Sequence, residues 1–464
     1  MKCTIPAHLE TGNMGLLFWY SLTLLIIIIW TVCVTLVFTR WKERLERMNL
    51  SGMGPFVMWK TRRGREFIEG VAKNRPKSVE WYGRISVVIT AISMVTMTSL
   101  LCLTAYLVIE RARDIDLDPH MLLGLPGLNP LIPLWYGIIG LVVAMVVHEF
   151  SHGILSALAK VKILSLGILL FIIPMGAFVE PDEEAIKKVE KKKRVRMYSA
   201  GPASNIIVAG VFSLIFSMVL MGSVQPVAEG VGVTSVTELS AADVAGLEKG
   251  MIMLSFNGTA IETQSDFTEA ISHTHANQTV EIVAFNTNSD ADIVLSANLT
   301  DKFNATGKME DMGKGYLGVN TLTVTREYFH PIGDSDTLGE VAGSISMYVT
   351  LPLQRLSPIE GQIAEFYVIE GFWSFLPDSL FWVLANICYW IFWLNLMVGL
   401  SNALPAVPLD GGYIFKDWLD TLLGKLRAYN AEEKRKKAVD KIGFGLALAI
   451  LFLILWQVIG PRIL

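Results

Sequence analysis

Residues 146–155 read VVHEFSHGIL, two histidines and a glutamate inside an apolar stretch that begins near Leu131. On a helix, His148 and His152 stand about 40° apart around the axis, so both rings face one way. Glu149 lies roughly 60° further round. That spacing suits two imidazole ligands to zinc, with the carboxylate off the metal but close enough to take a proton from water there. Neutral histidines buried in a core are the plainer reading. Against it, ionisable side chains are costly inside a membrane span and usually mark function. Of the chain's seven histidines, only these two fall in an apolar run long enough to cross a bilayer.

Two histidines leave a four-coordinate zinc one protein ligand short, with the fourth position kept for water. Asp410, in SNALPAVPLDGGYIF, is the strongest candidate elsewhere. Asn402, Pro405 and Pro408 should interrupt a helix there, and Gly411–Gly412 let the backbone come close. A helix-end aspartate turned to solvent is the bland alternative, and those residues alone leave the two readings balanced. A third segment, MYSAGPASNIIVAG, enters another apolar run. Gly201 and Pro202 are expected to start its helix, and Ala200, Ala203 and Ser204 to permit close packing. Asn205, one turn in, either packs between helices or faces the cavity, where it could bond a substrate carbonyl.

The elements that must position these residues follow from composition. Of 464 residues, 52% are hydrophobic and 18% charged, with a mean hydropathy of +0.47, which points to several membrane spans. Apolar runs at about 15–38, 85–109, 131–158, 198–222, 376–403 and 442–460 are each long enough to cross. The first is too long for the core of a cleaved signal peptide and reads as a retained span. Basic residues concentrate in alternate loops: twelve in 40–84, nine in 159–197 and eight in 404–441, of 39 in all. By the positive-inside rule these loops are cytoplasmic, and both termini lie outside. The loop 110–130, with four acids against two arginines, agrees. His152 and Asp410 then end their spans on the same side, at one membrane depth, which favours Asp410 as a ligand. Net charge is −4, and no nucleic-acid partner is expected. The cysteines (Cys3, Cys33, Cys102, Cys388) avoid the long polar stretch, so no disulfide framework or zinc knuckle is encoded.

The run ILSLGILLFIIPMGAFV (163–179) is short and holds Gly167, Pro174 and Gly176. As a seventh span it would place KKVEKKKRVR (187–196) outside, against the charge rule. It reads better as a re-entrant hairpin lining protein or a water-filled cavity. Residues 223–373 form an external region with 20 acids and 6 basic residues. There, 228–320 alternate in short β-like runs, and four of the chain's five N-x-S/T sequons fall here (Asn257, Asn277, Asn298, Asn304).

HEFSH, then AGPASN on the next span, then N-x-x-P-x-x-P-L-D-G on a later one, together resemble the site-2 protease family. These are intramembrane zinc metalloproteases that cut transmembrane segments of membrane-bound regulators. The resemblance covers roughly 131–222 and 376–460. It implies one zinc ion per chain held by His148, His152 and Asp410, with Glu149 as general base. It further implies that Asn205 and Asn402, with Gly201, Pro202 and Pro405, engage the substrate, and that a β-hairpin at about 163–180 pairs with an extended substrate. Val407 stands where the family often has proline. SAADVAGLEKGMIMLSFNGTAIET resembles a PDZ domain of bacterial proteases, with a short helix at 241–245, a Gly-Leu turn, a strand and an Asn-Gly turn. That implies a peptide ligand, bound by strand addition beside the helix of SDFTEAISHT.

The chain is thus expected to be an α-helical polytopic membrane protein of six spans, with a re-entrant β-hairpin and an external β-rich PDZ-like domain. Residues 1–130 should hold two spans and a basic loop, and 131–222 the first half of a catalytic core. The PDZ-like domain should occupy 223–325, an unassigned linker 326–375, and the second half of the core 376–464. The partners implied are transmembrane protein substrates and the lipid bilayer, most simply that of the cell membrane. A non-enzymatic reading stays open, a zinc-stabilised membrane scaffold presenting the PDZ-like module. Glu149 argues against it, because a structural site needs no base.

Overall fold

The computed structural model describes residues 28–61, 63–110, 126–171, 173–326, 337–353 and 363–463, with Leu25, Met121, Gly124 and Ile332. The chain begins with α1 (Ile28–Arg40), α2 (Lys42–Arg47), β1 (Leu50–Met53), β2 (Phe56–Thr61), α3 (Arg63–Asn74), α4 (Pro76–Glu110) and α5 (Leu134–Leu158). It continues through β3 (Ile163–Phe171), β4 (Ile173–Pro181), α6 (Glu183–Lys188), α7 (Lys191–Leu214), β5 (Val224–Pro226), β6 (Gly230–Val236), α8 (Ala241–Ala245), β7 (Ile252–Phe256) and β8 (Thr259–Ala260). Next come α9 (Gln264–Ser272), β9 (Thr279–Asn286), β10 (Ala291–Asn298), β11 (Thr300–Asp301), α10 (Lys302–Thr306), β12 (Gly315–Tyr316) and β13 (Val319–Val324). The last are α11 (Leu338–Thr350), β14 (Tyr367–Ile369), α12 (Asp378–Asn402), α13 (Asp410–Leu423) and α14 (Glu432–Ile463). Two compact units result: residues 1–210 with 391–464, and residues 211–390.

Among the described residues, five helices are long and apolar enough to cross a membrane: α4, α5, α7 with its extension to Ser223, α12 and α14. The chain is an integral membrane protein built mainly of helices. Half of the run at 15–38 lies outside the described residues; from Ile28 on it belongs to α1. Several helices overrun the apolar windows that announce them. Proline suits the first turn of α4, where its missing N–H is no loss, and a polar turn or two precedes the apolar stretch. The start of α14 is held by Glu432–Lys436 and Glu433–Lys437 pairs, each glutamate one turn ahead of its lysine.

The 163–180 segment is a pair of antiparallel strands, β3 and β4, but not an isolated hairpin. Strands β1 and β2, drawn from the basic loop, extend it into a sheet of order β1-β2-β3-β4. Strand β2 satisfies the outer backbone groups of β3, which apolar surroundings would leave unpaired at a cost. Among the described residues no strand pairs with the other edge of β4.

Helix α7 corrects the expectation that Gly201 and Pro202 begin it. It starts at Lys191 and carries Pro202 inside. Proline there removes one backbone hydrogen bond and crowds the preceding turn. Helix α4 supplies donors to that turn: Thr90 Oγ1 donates to the Ser199 carbonyl at 3.1 Å, and the Tyr82 hydroxyl to that of Ala200 at 2.7 Å. Neither bond reaches the Tyr198 carbonyl that Pro202 leaves without its donor, but both give the crowded turn partners from outside its own helix.

In the second unit, an antiparallel sheet of order β10-β9-β7-β6-β13, with β8 on β7, closes over a core that includes Val231, Met253, Phe256, Ile282 and Leu317. Helix α8 spans the five residues foreseen. It ends on Gly246 at φ 83°, and Leu247 folds back to donate to the Ala242 carbonyl. Asn257 and Gly258 both have positive φ, as the tight turn from β7 to β8 requires. A reciprocal Thr263–Asp266 cap starts α9, and the Thr263 amide and hydroxyl hold the Asp266 carboxyl below the usual carboxylate range. The stretch left unassigned by sequence contains α11. Its Tyr348 is fully buried, accepts at its carbonyl from the Tyr389 hydroxyl at 2.7 Å, and stacks edge-on against Phe216.

Candidate metal centre

Helix α5 presents His148 and His152 one turn apart, and Asp410 is the first residue of α13. His148 Nε2 lies 3.0 Å from Asp410 Oδ2, His152 Nε2 lies 3.2 Å from the same oxygen, and the two Nε2 atoms are 3.2 Å apart. As hydrogen bonds these contacts conflict: two rings donating to one carboxylate would face each other donor to donor. A cation resolves them. Four ligands at roughly 2.0–2.2 Å from a tetrahedral ion sit about 3.3–3.6 Å from one another, so the triangle fits with a few tenths of an ångström to open. The three ligand atoms form a group that could hold a metal ion.

The break before Asp410 is the one its prolines imply. Helix α12 ends at Asn402, and buried Ala403–Ala406 fold back onto the first turn of α13. A Cβ on Gly411 would stand 2.1 Å from the Ala403 carbonyl oxygen, and one on Gly412 would stand 2.4 Å from the Val407 nitrogen. Only glycine allows that approach. The carboxylate of Asp410 stands at a helix N-terminus, where negative charge is favoured. Further along α13, Asp417 pairs with Arg194, and Asp420 with both Lys191 and Arg435. Those pairs tie the distal ligand's helix to α7 and α14.

One stripe of α7 faces both imidazoles. His152 Nδ1 lies 2.7 Å from the Met197 carbonyl oxygen. A carbonyl only accepts, so Nδ1 bears the hydrogen and Nε2 of the neutral ring offers its lone pair. One turn on, a Cβ at Gly201 would stand 2.4 Å from His152 Nε2 and 2.6 Å from His148 Nε2. Another turn on, the fully buried Asn205 sets its Nδ2 3.2 Å from His148 Nδ1. Asn205 is therefore enclosed against the His148 ring. Glu149 stands outside the triangle, and its Oε2 accepts from the Val179 amide of β4 at 2.9 Å.

A cavity of about 760 Å³ runs along β4, lined by Met145, Glu149, Ala177, Val179, Tyr198 and Tyr413 among others. The Tyr198 and Tyr413 rings stack with centroids 4.9 Å apart. Asn402 donates to the Val398 carbonyl of its own helix at 3.1 Å, and Pro405 is buried in the break. The structure brings neither to the ligand triangle.

Residues 136–450, two thirds of the chain, match the profile of Peptidase family M50. The chain belongs to this family. An uncharacterised protein of Methanocaldococcus jannaschii is 27% identical to this M50 peptidase over 346 residues, 71% of this chain and 69% of that one. A Clostridium acetobutylicum protein with the provisional name of zinc metalloprotease is 22% identical over 342 residues, covering 67% and 93%. The zinc metalloprotease RasP of Shouchella clausii is 23% identical over 269 residues, covering 57% and 59%. The PDZ domain of an SdrC-like protein from Listeria monocytogenes is 21% identical, covering 20% of the M50 peptidase and 88% of that chain, with a TM-score of 0.17.

Sequence reasoning missed Met197, Val179 and strand β2. Met197 and Val179 act through backbone groups, which no residue type announces. For β2 the signal was present: FVMWKT is rich in aromatic and β-branched residues and follows a Gly-Pro turn.

Proposed function

We propose that this M50 peptidase is an intramembrane zinc endopeptidase, cutting peptide bonds in or near transmembrane segments of membrane-bound regulatory proteins. The observation that carries it is the convergence of His148 and His152, on the span-length helix α5, with Asp410, which opens α13 after the span-length α12 has ended, while Glu149 follows His148 on α5 and stays outside the triangle. A scaffold site would need no such carboxylate. His148, His152 and Asp410 would hold one zinc ion, which when bound acts as a Lewis acid toward a scissile carbonyl and an attacking water. Glu149 takes the proton of that water and returns it to the leaving amine.

A helical substrate shields its peptide bonds, so it must unwind before attack. The edge of β4 away from β3, where Glu149 holds the Val179 amide, offers the substrate's backbone substitute partners, offsetting the cost of unpaired groups in an apolar setting. The cavity along β4 and Glu149's position at that edge support this role for the strand. Asn402, Gly201, Pro202 and Pro405 then shape the wall that an extended substrate meets. The charge distribution supports six spans, a re-entrant β3–β4 pair, and a site near the cytoplasmic face. The module within 223–325 is read as PDZ-like and external. A groove between α9 and Gly315–Val319, of about 480 Å³, is where a peptide tail would add.

The test is Glu149→Gln, which keeps shape and hydrogen-bonding reach but cannot accept the proton. Zinc content of the detergent-purified protein should stay at one per chain, while turnover of single-span substrates falls by at least ~10²–10⁴. Near-normal cleavage by this variant would remove the mechanism.

A further inference from the structure

Asn205 has no exposure to solvent, and its Oδ1 meets no donor while its Nδ2 faces His148 Nδ1. A neutral imidazole carries one N–H and one lone pair. Once Nε2 gives its lone pair to a cation, the hydrogen stands on Nδ1, and the amide nitrogen faces a second donor. Half a turn about the terminal torsion of Asn205 ends that conflict and gives Oδ1 its partner. The two ends of a carboxamide are nearly equal in size, so hydrogen bonding decides which one faces the ring.

We propose that Asn205 is a positioning residue for His148, its Oδ1 accepting the Nδ1 hydrogen and so fixing the ring that presents Nε2 to the metal. The inference rests on the reading of His148 as a ligand. His152 provides the parallel, since the Met197 carbonyl holds its Nδ1 in the same way. Both acceptors lie on α7, two turns apart, with Gly201 between them keeping the ligand nitrogens clear. One helix thus orients both imidazoles, and the asparagine that could have been a substrate contact is occupied behind the site.

The test titrates zinc alone into metal-stripped, detergent-purified full-length protein against a competing chelator. Asn205→Ala should weaken zinc 10- to 100-fold, the usual effect of losing a ligand's outer partner. Asn205→Asp, which can only accept, should stay within about threefold of the wild type. Both variants should elute with the wild type from a sizing column. An alanine variant that does not is replaced by Asn205→Ser, whose shorter side chain stops short of the ring and carries the same expectation. Zinc bound by the alanine (or serine) variant as tightly as by the wild type would overturn the proposal, as would an aspartate variant as weak as alanine. Failure of the wild type itself to bind one zinc would instead overturn the ligand reading.

Discussion

Gly201→Ala isolates the helix stripe behind the ligands with a single methyl group. Its Cβ would stand 2.4 Å from His152 Nε2, 2.6 Å from His148 Nε2 and 2.7 Å from His148 Cε1, whereas ordinary contact begins near 3.4 Å. The rings, or α7 itself, must therefore yield by roughly 0.7–1.0 Å, several times the ~0.2 Å tolerance of a metal–ligand distance. Both ligand nitrogens are pushed at once, so relaxing one ring does not relieve the other. Zinc affinity should fall at least 100-fold, about 2.7 kcal/mol, and turnover should fall with it. Gly210→Ala on the same helix is the control. Nothing stands within 4 Å of its Cβ, and helix propensity should make it neutral or stabilising by about 0.5–1 kcal/mol. Chelator competition and metal analysis of both purified variants read the difference. A Gly201→Ala protein with full zinc at wild-type affinity would refute the reasoning.

Asp410→Ala should lower zinc content along with activity, as His148→Ala and His152→Ala should; full zinc in Asp410→Ala would send the search for the third ligand elsewhere. Single cysteines placed in 110–130 and 223–373 should react with membrane-impermeant thiol reagents applied from outside intact cells, and those in 40–84, 187–196 and 425–437 should not. Labelling within 187–196 would make 163–179 a true crossing. Deleting 228–320 should leave zinc binding intact while larger substrates become cleavable, and loss of zinc would mean that this module holds the fold together.

The grouping of His148, His152 and Asp410 was legible in two steps: the histidines stand one turn apart on a helix, whereas Asp410, after a break that Pro405 and Pro408 announce, was singled out only by the charge topology and the family resemblance. Local turn chemistry was equally readable, as the α8 boundaries and the Asn257–Gly258 turn bear out. What escaped was non-local or borne by the backbone. Pro202 reads as a helix start because the donors that support the turn before it, Thr90 and Tyr82, lie more than a hundred residues away on α4. The 163–180 pair reads as a lone hairpin because its third and fourth strands sit far upstream in a loop dominated by basic charge, and the strand signal of FVMWKT does not say which strand it pairs with. Asn205 reads as a substrate contact, and its complete burial against the His148 ring is not legible from its type or spacing.

His152 and Asp410 are 258 residues apart in the chain. An ion shared between them is a clasp on a very long loop, and the whole second unit is strung along that loop. Closure entropy depends only on the logarithm of loop length, so each doubling costs about 0.6 kcal/mol. Removing 228–320 shortens the loop by roughly a third and changes the closure term by only about 0.4 kcal/mol. The clasp is therefore nearly indifferent to the length of the 228–320 segment that hangs between its halves. Modules there can be enlarged, exchanged or lost with little thermodynamic consequence for the metal, which leaves that stretch of chain free to diverge while the three ligands stay where they are.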